Sequence, residues 1–194
     1  YAIDKCDFTK NILKNAETYK SFNSTDVERK FKAVSNQIDL YSKLRGDDKK
    51  NAIDYMRKTL YTNHGTRHED TTACNYDDLE IDENFYTYNI CSIEGTTYEI
   101  VGRIDRMREN YDGTKTIVEI KNRSRGLFRK VRDYEEIQCQ TYMEMLNVND
   151  CELIEQYNDS RLGYKIPRDN LKWKSDIRPK IINFCRHFHS LLSK

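Results

Sequence analysis

The sequence predicts an α/β fold: a central mixed β-sheet flanked by helices on both faces, with an N-terminal helical segment. Three observations predict it. Two long N-terminal stretches repeat apolar residues at helical spacing. The middle of the chain alternates aromatic and β-branched residues around an Asp-Gly turn. The remainder reads as helix, paired strands and helix. At 194 residues the chain fits one domain with a full core and hardly two. The expected division is a single domain over 1–194, with helices over 1–75 and a sheet-and-helix core over 85–194.

The first helix is expected from about Thr25 to Leu44, where Val27, Phe31, Val34, Ile38 and Tyr41 share a face. Gly46-Asp47-Asp48 ends it and starts a second helix from about Asp48 to Thr72, carrying Ile53, Met56, Leu60 and Gly65. Strand sequence begins near Phe85. The runs Thr96–Arg108 and Lys115–Lys121 flank Asn110-Tyr111-Asp112-Gly113, a strong hairpin signal. A helix follows over about Val131–Leu146. Glu152–Tyr157 and Arg161–Ile166 form a second hairpin around Asn158-Asp159-Ser160. In the closing helix Ser175 is the expected cap, Pro179 falls near the first turn, and Ile181, Ile182, Cys185, Phe188 and Leu192 form the expected buried face.

Composition excludes several classes. Hydrophobic residues make up 37% and charged residues 34%, yet 14 Tyr and 7 Phe supply too much apolar surface for a disordered chain. Seven Gly and two Pro exclude collagen-like and linker-rich readings. No apolar run approaches the ~20 residues of a membrane-spanning helix, and no signal peptide is visible. An intracellular location is expected: cytoplasm, nucleus or a viral replication compartment. The missing initiator Met suggests a piece of a longer chain. Six cysteines form no C-x-x-C pair, so free thiols in a reducing compartment are expected rather than a metal–thiolate site. The net charge of +1 decides nothing about nucleic acid, and only a local patch could. High Asn, Lys, Tyr and Ile usage suggests an A+T-rich genome, compatible with a viral source.

The chemistry concentrates in residues 102 to 123. Alternation along Thr116–Arg123 puts Ile117, Glu119 and Lys121 on one side of a strand, with Val118 and Ile120 on the other. Asp105 is a lone carboxylate between Ile104 and Arg106 on the partner run, and hairpin pairing can bring it beside Glu119. Two carboxylates that close stay ionised only beside a cation, and Mg²⁺ takes such hard oxygen ligands. His64 and His68 stand four apart, the spacing of a helical metal pair or of ordinary neighbours; His68 reads better as a neighbour of Glu69.

Four blocks in order resemble the PD-(D/E)XK nucleases, in their lambda-exonuclease-like and RecB-type branch. Gly65-Thr66-Arg67-His68-Glu69 resembles the G-x-x-x-E block, and Gly102-Arg103-Ile104-Asp105 the G-x-x-D motif. Glu119-Ile120-Lys121 resembles E-x-K, and Gln138-Cys139-Gln140-Thr141-Tyr142 resembles Q-x-x-x-Y. The blocks span residues 65 to 142. Ile104 stands where parts of the superfamily have proline, a residue this branch commonly lacks.

The resemblance implies a restriction-endonuclease-like core and a Mg²⁺ site in which Mn²⁺ substitutes. Asp105, Glu119 and the Ile120 backbone carbonyl would bind the metal, and Glu69 would join through water. Lys121 would be the catalytic lysine, with Gln138 and Tyr142 supporting the site and the substrate phosphate. The implied activity is hydrolysis of phosphodiester bonds by a metal-activated water. A DNA exonuclease in recombination, repair or viral genome processing is the favoured form. An endonuclease on DNA or RNA, or an inactive nucleic-acid-binding module, is the alternative. Double- or single-stranded DNA is the expected partner, with RNA as a further candidate; no membrane partner is expected. Oligomers are compatible with the branch, but no interface patch is legible.

Directly after E-x-K, residues 122 to 134 concentrate Arg123, Arg125, Arg129, Lys130 and Arg132, with Phe128 and Tyr134 between them. Arginines contact phosphates and aromatics stack on bases. Arg67, Arg123, Arg125, Phe128, Arg129 and Lys130 are therefore the expected nucleic-acid contacts.

Overall fold

The computed structural model describes residues 7–41 and 43–192, without the side chains of 7–9, 41 and 70. Cys6 and the Tyr41 side chain thus lie outside the described residues. The fold is mixed α/β, with a central mixed sheet and flanking helices. The chain divides into two compact units. One comprises the helices through Asn75 with Lys121–Leu127 and Glu155–Leu162; the other comprises Tyr76–Ile120, Phe128–Ile154 and the chain from Gly163 onward.

The first unit is built on α1 (Asp7–Glu17), α2 (Ser24–Tyr41) and α3 (Gly46–Ala73). Its core joins Ile12 and Ala16 of α1, Val27, Phe31, Val34 and Ile38 of α2, and Met56 and Leu60 of α3. The expected stripe of α2 is therefore its buried face. Helix α1 was outside the expected elements, although Ile12 and Ala16 stand four apart. A reciprocal cap starts α2: Asn23 Oδ1 accepts the Asp26 N–H at 2.9 Å, and the Asp26 carboxylate accepts the Phe22 N–H at 2.9 Å. That backbone bond is the main cause holding the Asp26 carboxyl below its usual range.

The second unit holds most of the main sheet. Strands β1 (Glu80–Ile81), β4 (Arg106–Glu109), β5 (Lys115–Asn122), β6 (Asp150–Tyr157) and β7 (Ser160–Pro167) lie in the order β1-β4-β5-β6-β7. A separate two-stranded sheet pairs β2 (Tyr86–Ile93) with β3 (Thr96–Gly102). The β4–β5 hairpin closes at Gly113, whose φ of +78° suits glycine and whose N–H reaches the Asn110 carbonyl at 2.9 Å. Helix α4 (Asp133–Leu146) connects the neighbouring strands β5 and β6, the crossover that parallel neighbours need. Ile104, Met107, Ile117, Cys139, Met143, Cys151, Leu153 and Ile166 form the core between α4 and the sheet.

The expected single run Thr96–Arg108 is divided. β3 ends at Gly102, and β4 begins at Arg106 in the other sheet. The physical reason is a change of core. Tyr98 and Ile100 pack with Trp173, Ile177 and Cys185, whereas Ile104 and Met107 join the α4 core.

The C-terminal helix also departs from expectation. Asp169, not Ser175, is the cap: its carboxylate accepts the Lys172 N–H at 2.8 Å and starts α5 (Asn170–Lys172). Ser175 lies inside the continuing helix and donates to the Leu171 carbonyl at 2.8 Å. A π turn over Trp173–Ile177 leads into α6 (Arg178–Leu192), with the Arg178 N–H bonded to the Trp173 carbonyl. The widened turn directly precedes Pro179, which has no N–H to offer a regular ladder. Cys185 is buried and Ile181 and Ile182 half-buried, as expected, but Phe188 and Leu192 are exposed. The covered stripe continues instead to His189, whose Nδ1 meets the Tyr98 hydroxyl at 2.8 Å. Among the described residues no helix is long and apolar enough to cross a membrane.

Candidate active site

The break between β3 and β4 lies at the G-x-x-D block. In the second unit, β4 and β5 are antiparallel, with Arg106 opposite Val118 and Met107 opposite Ile117. Asp105 immediately precedes β4, and Glu119 follows Val118, the partner of Arg106. Asp105 is half-buried, and its Oδ2 accepts the Ile120 N–H at 2.8 Å. That bond ties the loop carboxylate to the strand carrying the other. Glu119 is only 2% exposed. Its Oε1 accepts from Gln138 Nε2 at 2.8 Å, and the same amide donates to the Tyr142 hydroxyl at 3.1 Å. Buried charge is costly without polar partners, and α4 supplies one.

Tyr142 also explains Gly102. A Cβ at Gly102 would stand 2.8 Å from Tyr142 Cε1, closer than real carbons approach. The G-x-x-D and Q-x-x-x-Y blocks are thus complementary surfaces. From Gly102 the contacts run through Tyr142 and Gln138 to Glu119. Beneath them, the Cys151 thiol is pushed well above its usual range by its hydrogen bond with Cys139, by burial, and by the nearby Cys139 and Glu119. It stays a neutral packing group. The five described cysteines, Cys74, Cys91, Cys139, Cys151 and Cys185, are all free thiols.

The first unit carries Lys121 and Glu69. Lys121 stands two positions beyond Glu119 on β5 and is half-buried. The next residue, Asn122, ties this segment to α3. Its Nδ2 donates to the Gly65 carbonyl at 3.1 Å, and its Oδ1 accepts from Thr72 Oγ1 at 2.8 Å. Glu69 lies on α3 between those two points and is half-buried. A Cβ at Gly65 would meet nothing within 4 Å, so no close contact demands glycine there.

His64 and His68 are structural neighbours, with ring centroids 4.6 Å apart. Nδ1 of His64 meets the Ser21 hydroxyl at 2.9 Å and Nε2 meets Ser24 Oγ at 3.4 Å. Burial, then the adjacent His68, pushes its pKa down to about 4, so its ring is neutral at neutral pH. A cavity of about 430 Å³ borders these rings, with Ser24, Thr25, Asn122 and Arg123 also in its wall.

The expected nucleic-acid contacts divide sharply. Arg123 is 8% exposed and ion-paired with the fully buried Glu155, Nε to Oε2 at 3.0 Å. It is a core residue, not a phosphate contact. Sequence reasoning missed Glu155 altogether; its place among the buried Leu153 and Ile154 gave no polar signal. Arg125 is exposed but lies over the Tyr61 ring and pairs with Glu28 at 3.4 Å. Phe128 is 38% exposed, with the Arg132 guanidinium 4.5 Å from its ring centroid. Arg67, Arg129 and Lys130 are exposed, and Arg129 holds a φ of +57°.

Asp105 and Glu119 offer carboxylate oxygens, the donors Mg²⁺ and Mn²⁺ prefer, so this donor set fits a hard divalent cation. Among the described residues, no group of three or more His, Cys, Asp or Glu side chains is gathered for a metal. Such a cation would therefore draw its other ligands from backbone, water and substrate.

No family model and no curated protein matches the sequence. Eight solved chains are similar, among them the following two. The crystal structure of SSO0001 aligns with a TM-score of 0.53 at 18% identity, covering 97% of this chain and 88% of that one. That likeness is one of fold. An alkaline exonuclease, LHK-Exo from Laribacter hongkongensis, aligns with a TM-score of 0.45 at 14% identity, covering 82% of this chain and 88% of that one.

Proposed function

We propose that this chain is a divalent-metal-dependent nuclease that hydrolyses phosphodiester bonds in DNA, in the form of an exonuclease. One observation carries the reading. The Asp105 carboxylate is tied to the N–H of Ile120, the residue after Glu119, and Glu119 is itself held by the Gln138 amide. A stability role alone gives no reason to juxtapose two carboxylates at a strand break.

In this reading Asp105, Glu119 and the Ile120 carbonyl hold Mg²⁺. When bound, the cation offsets phosphate charge and makes water acidic enough to serve as nucleophile at neutral pH. Lys121 orients that water or stabilises the charge developing on the phosphate. Glu69 adds a further carboxylate through water. Gln138 holds Glu119 in one rotamer, and Tyr142 holds Gln138. Arg67, Arg125, Arg129, Lys130 and Phe128 are the proposed contacts to the nucleic-acid strand.

End-labelled linear, circular and single-stranded DNA, and RNA, digested with Mg²⁺ or with EDTA, test the proposal. Mg²⁺-dependent loss of linear DNA from its ends, with circles spared, is the expected result. Cleavage of circles would assign an endonuclease, and no cleavage of any substrate would end the nuclease reading.

A further inference from the structure

Charge is segregated along this chain in a way that net charge conceals. From Tyr76 to Gly102 there are seven acids, Asp77, Asp78, Glu80, Asp82, Glu83, Glu94 and Glu99, and no Lys, Arg or His. Five of the seven fall between 77 and 83, around strand β1. β1 pairs with β4 on one side and is the edge of its sheet on the other. Both its residues are exposed, and Ile81 is 67% accessible. Ile81 thus stands exposed on an open sheet edge, short but free to pair on its outer side.

Beside this edge runs a groove of about 520 Å³. Ile81, Tyr86, Met107, Met145, Leu146 and Val148 supply its apolar wall, with Glu80 and Asp82 at the rim. Methionines make such a wall adaptable in shape. Asp82 keeps its charge: although burial opposes it, hydrogen bonds from Tyr86 and Asn84 hold its carboxyl below the usual range. Three cations border the strand. Arg106, opposite Ile81 on β4, is buried away from the rim. Arg108 is engaged by Asp78 at 2.6 Å and Glu152 at 2.5 Å, and Lys115 also lines the groove. The rim stays negative.

We propose that the β1 edge and its groove dock an extended, Lys/Arg-rich segment of a partner protein, with one apolar side chain seated beside Ile81. The open edge offers backbone pairing, the groove a pocket for an alternate side chain, and the acids the complement to a basic strand. The same acids repel phosphates, so this face is not a nucleic-acid path. The inference is independent of the nuclease reading, because none of its residues belongs to the carboxylate network.

The test uses a fluorescein-labelled peptide of about nine residues alternating lysine with leucine, and a control alternating lysine with serine. Fluorescence anisotropy should show the leucine peptide binding at least about ten-fold tighter than the control. Glu80→Lys with Glu83→Lys should weaken it by about ten-fold or more, as should Ile81→Ser. DNA binding, and any nuclease activity, should stay at the unsubstituted level in both variants. Equal binding of the two peptides would reduce the surface to unspecific charge and overturn the proposal. Unchanged peptide binding in the variants would overturn it too. Light scattering run in parallel decides the other occupant: a dimer that these substitutions dissolve would mean that a second copy covers this edge, and the proposal would fall.

Discussion

Asp105 and Glu119 are held by different kinds of partner, and that difference sets what each substitution does. Asp105→Ala removes a half-buried carboxylate and leaves the Ile120 N–H to find water. Thermal stability should change little while Mg²⁺-dependent cleavage disappears. Arg123 and Glu155 behave in the opposite way. Removing one partner of a buried pair strands the other charge, so Glu155→Ala should destabilise by about 3–5 kcal/mol in urea denaturation. Arg125→Ala, on an exposed side chain, should cost less than about 1 kcal/mol. Equal losses in these two variants would contradict the assignment of Arg123 to the core. His64 gives stability a pH dependence. Its folded pKa is depressed to about 4 from 6.5, so between those values the unfolded chain binds more protons. Stability is full above that window and falls as pH drops through it, with a slope approaching about 1.4 kcal/mol per pH unit. Denaturation of wild type and His64→Gln at about pH 7.5 and about pH 5 should show a flatter response in the variant.

The elements teach that short motifs are legible where each residue's spacing has one geometric meaning. β5 was read directly, because alternation marks the strand and the Asp-Gly turn fixes its antiparallel pairing with β4. The division of Thr96–Arg108 was not legible. Nothing local marks the point where a strand leaves one core for another, and the signal, Gly102, acquires meaning only against the Tyr142 ring. The π turn at Trp173–Ile177 is equally silent in sequence, and it hides Ser175 inside a helix it was expected to cap. Arg123 misled for a related reason. A basic side chain in a run of basic side chains looks solvated until a buried glutamate distant in sequence meets it. The Gly102–Tyr142 contact predicts coupling. Gly102→Ala should cost about 1–3 kcal/mol by overpacking and lower activity by displacing the Gln138–Glu119 pair. Tyr142→Leu should recover part of that stability. A double-mutant cycle with additive energies would mean the two blocks do not communicate.

At the scale of the whole molecule, a net charge of +1 combines an acidic stretch over residues 76–102 with basic residues elsewhere. Steering of a polyanion therefore depends on local fields and on salt. If Arg129 and Lys130 each neutralise a phosphate, replacing both should make log affinity against log salt shallower by about 1.4 to 1.8, with metal affinity unchanged. An unchanged slope would return the loop to a solvated connection.

The central claim is that the Asp105–Glu119 pair is a metal-dependent hydrolytic centre. The most direct measurement is the digestion of end-labelled linear DNA by the wild-type chain and by folded Asp105→Ala, each with Mg²⁺ and with EDTA. The account predicts cleavage in one arm alone, wild type with Mg²⁺. Comparable Mg²⁺-dependent cleavage by Asp105→Ala, or cleavage by the wild type in EDTA, would contradict it.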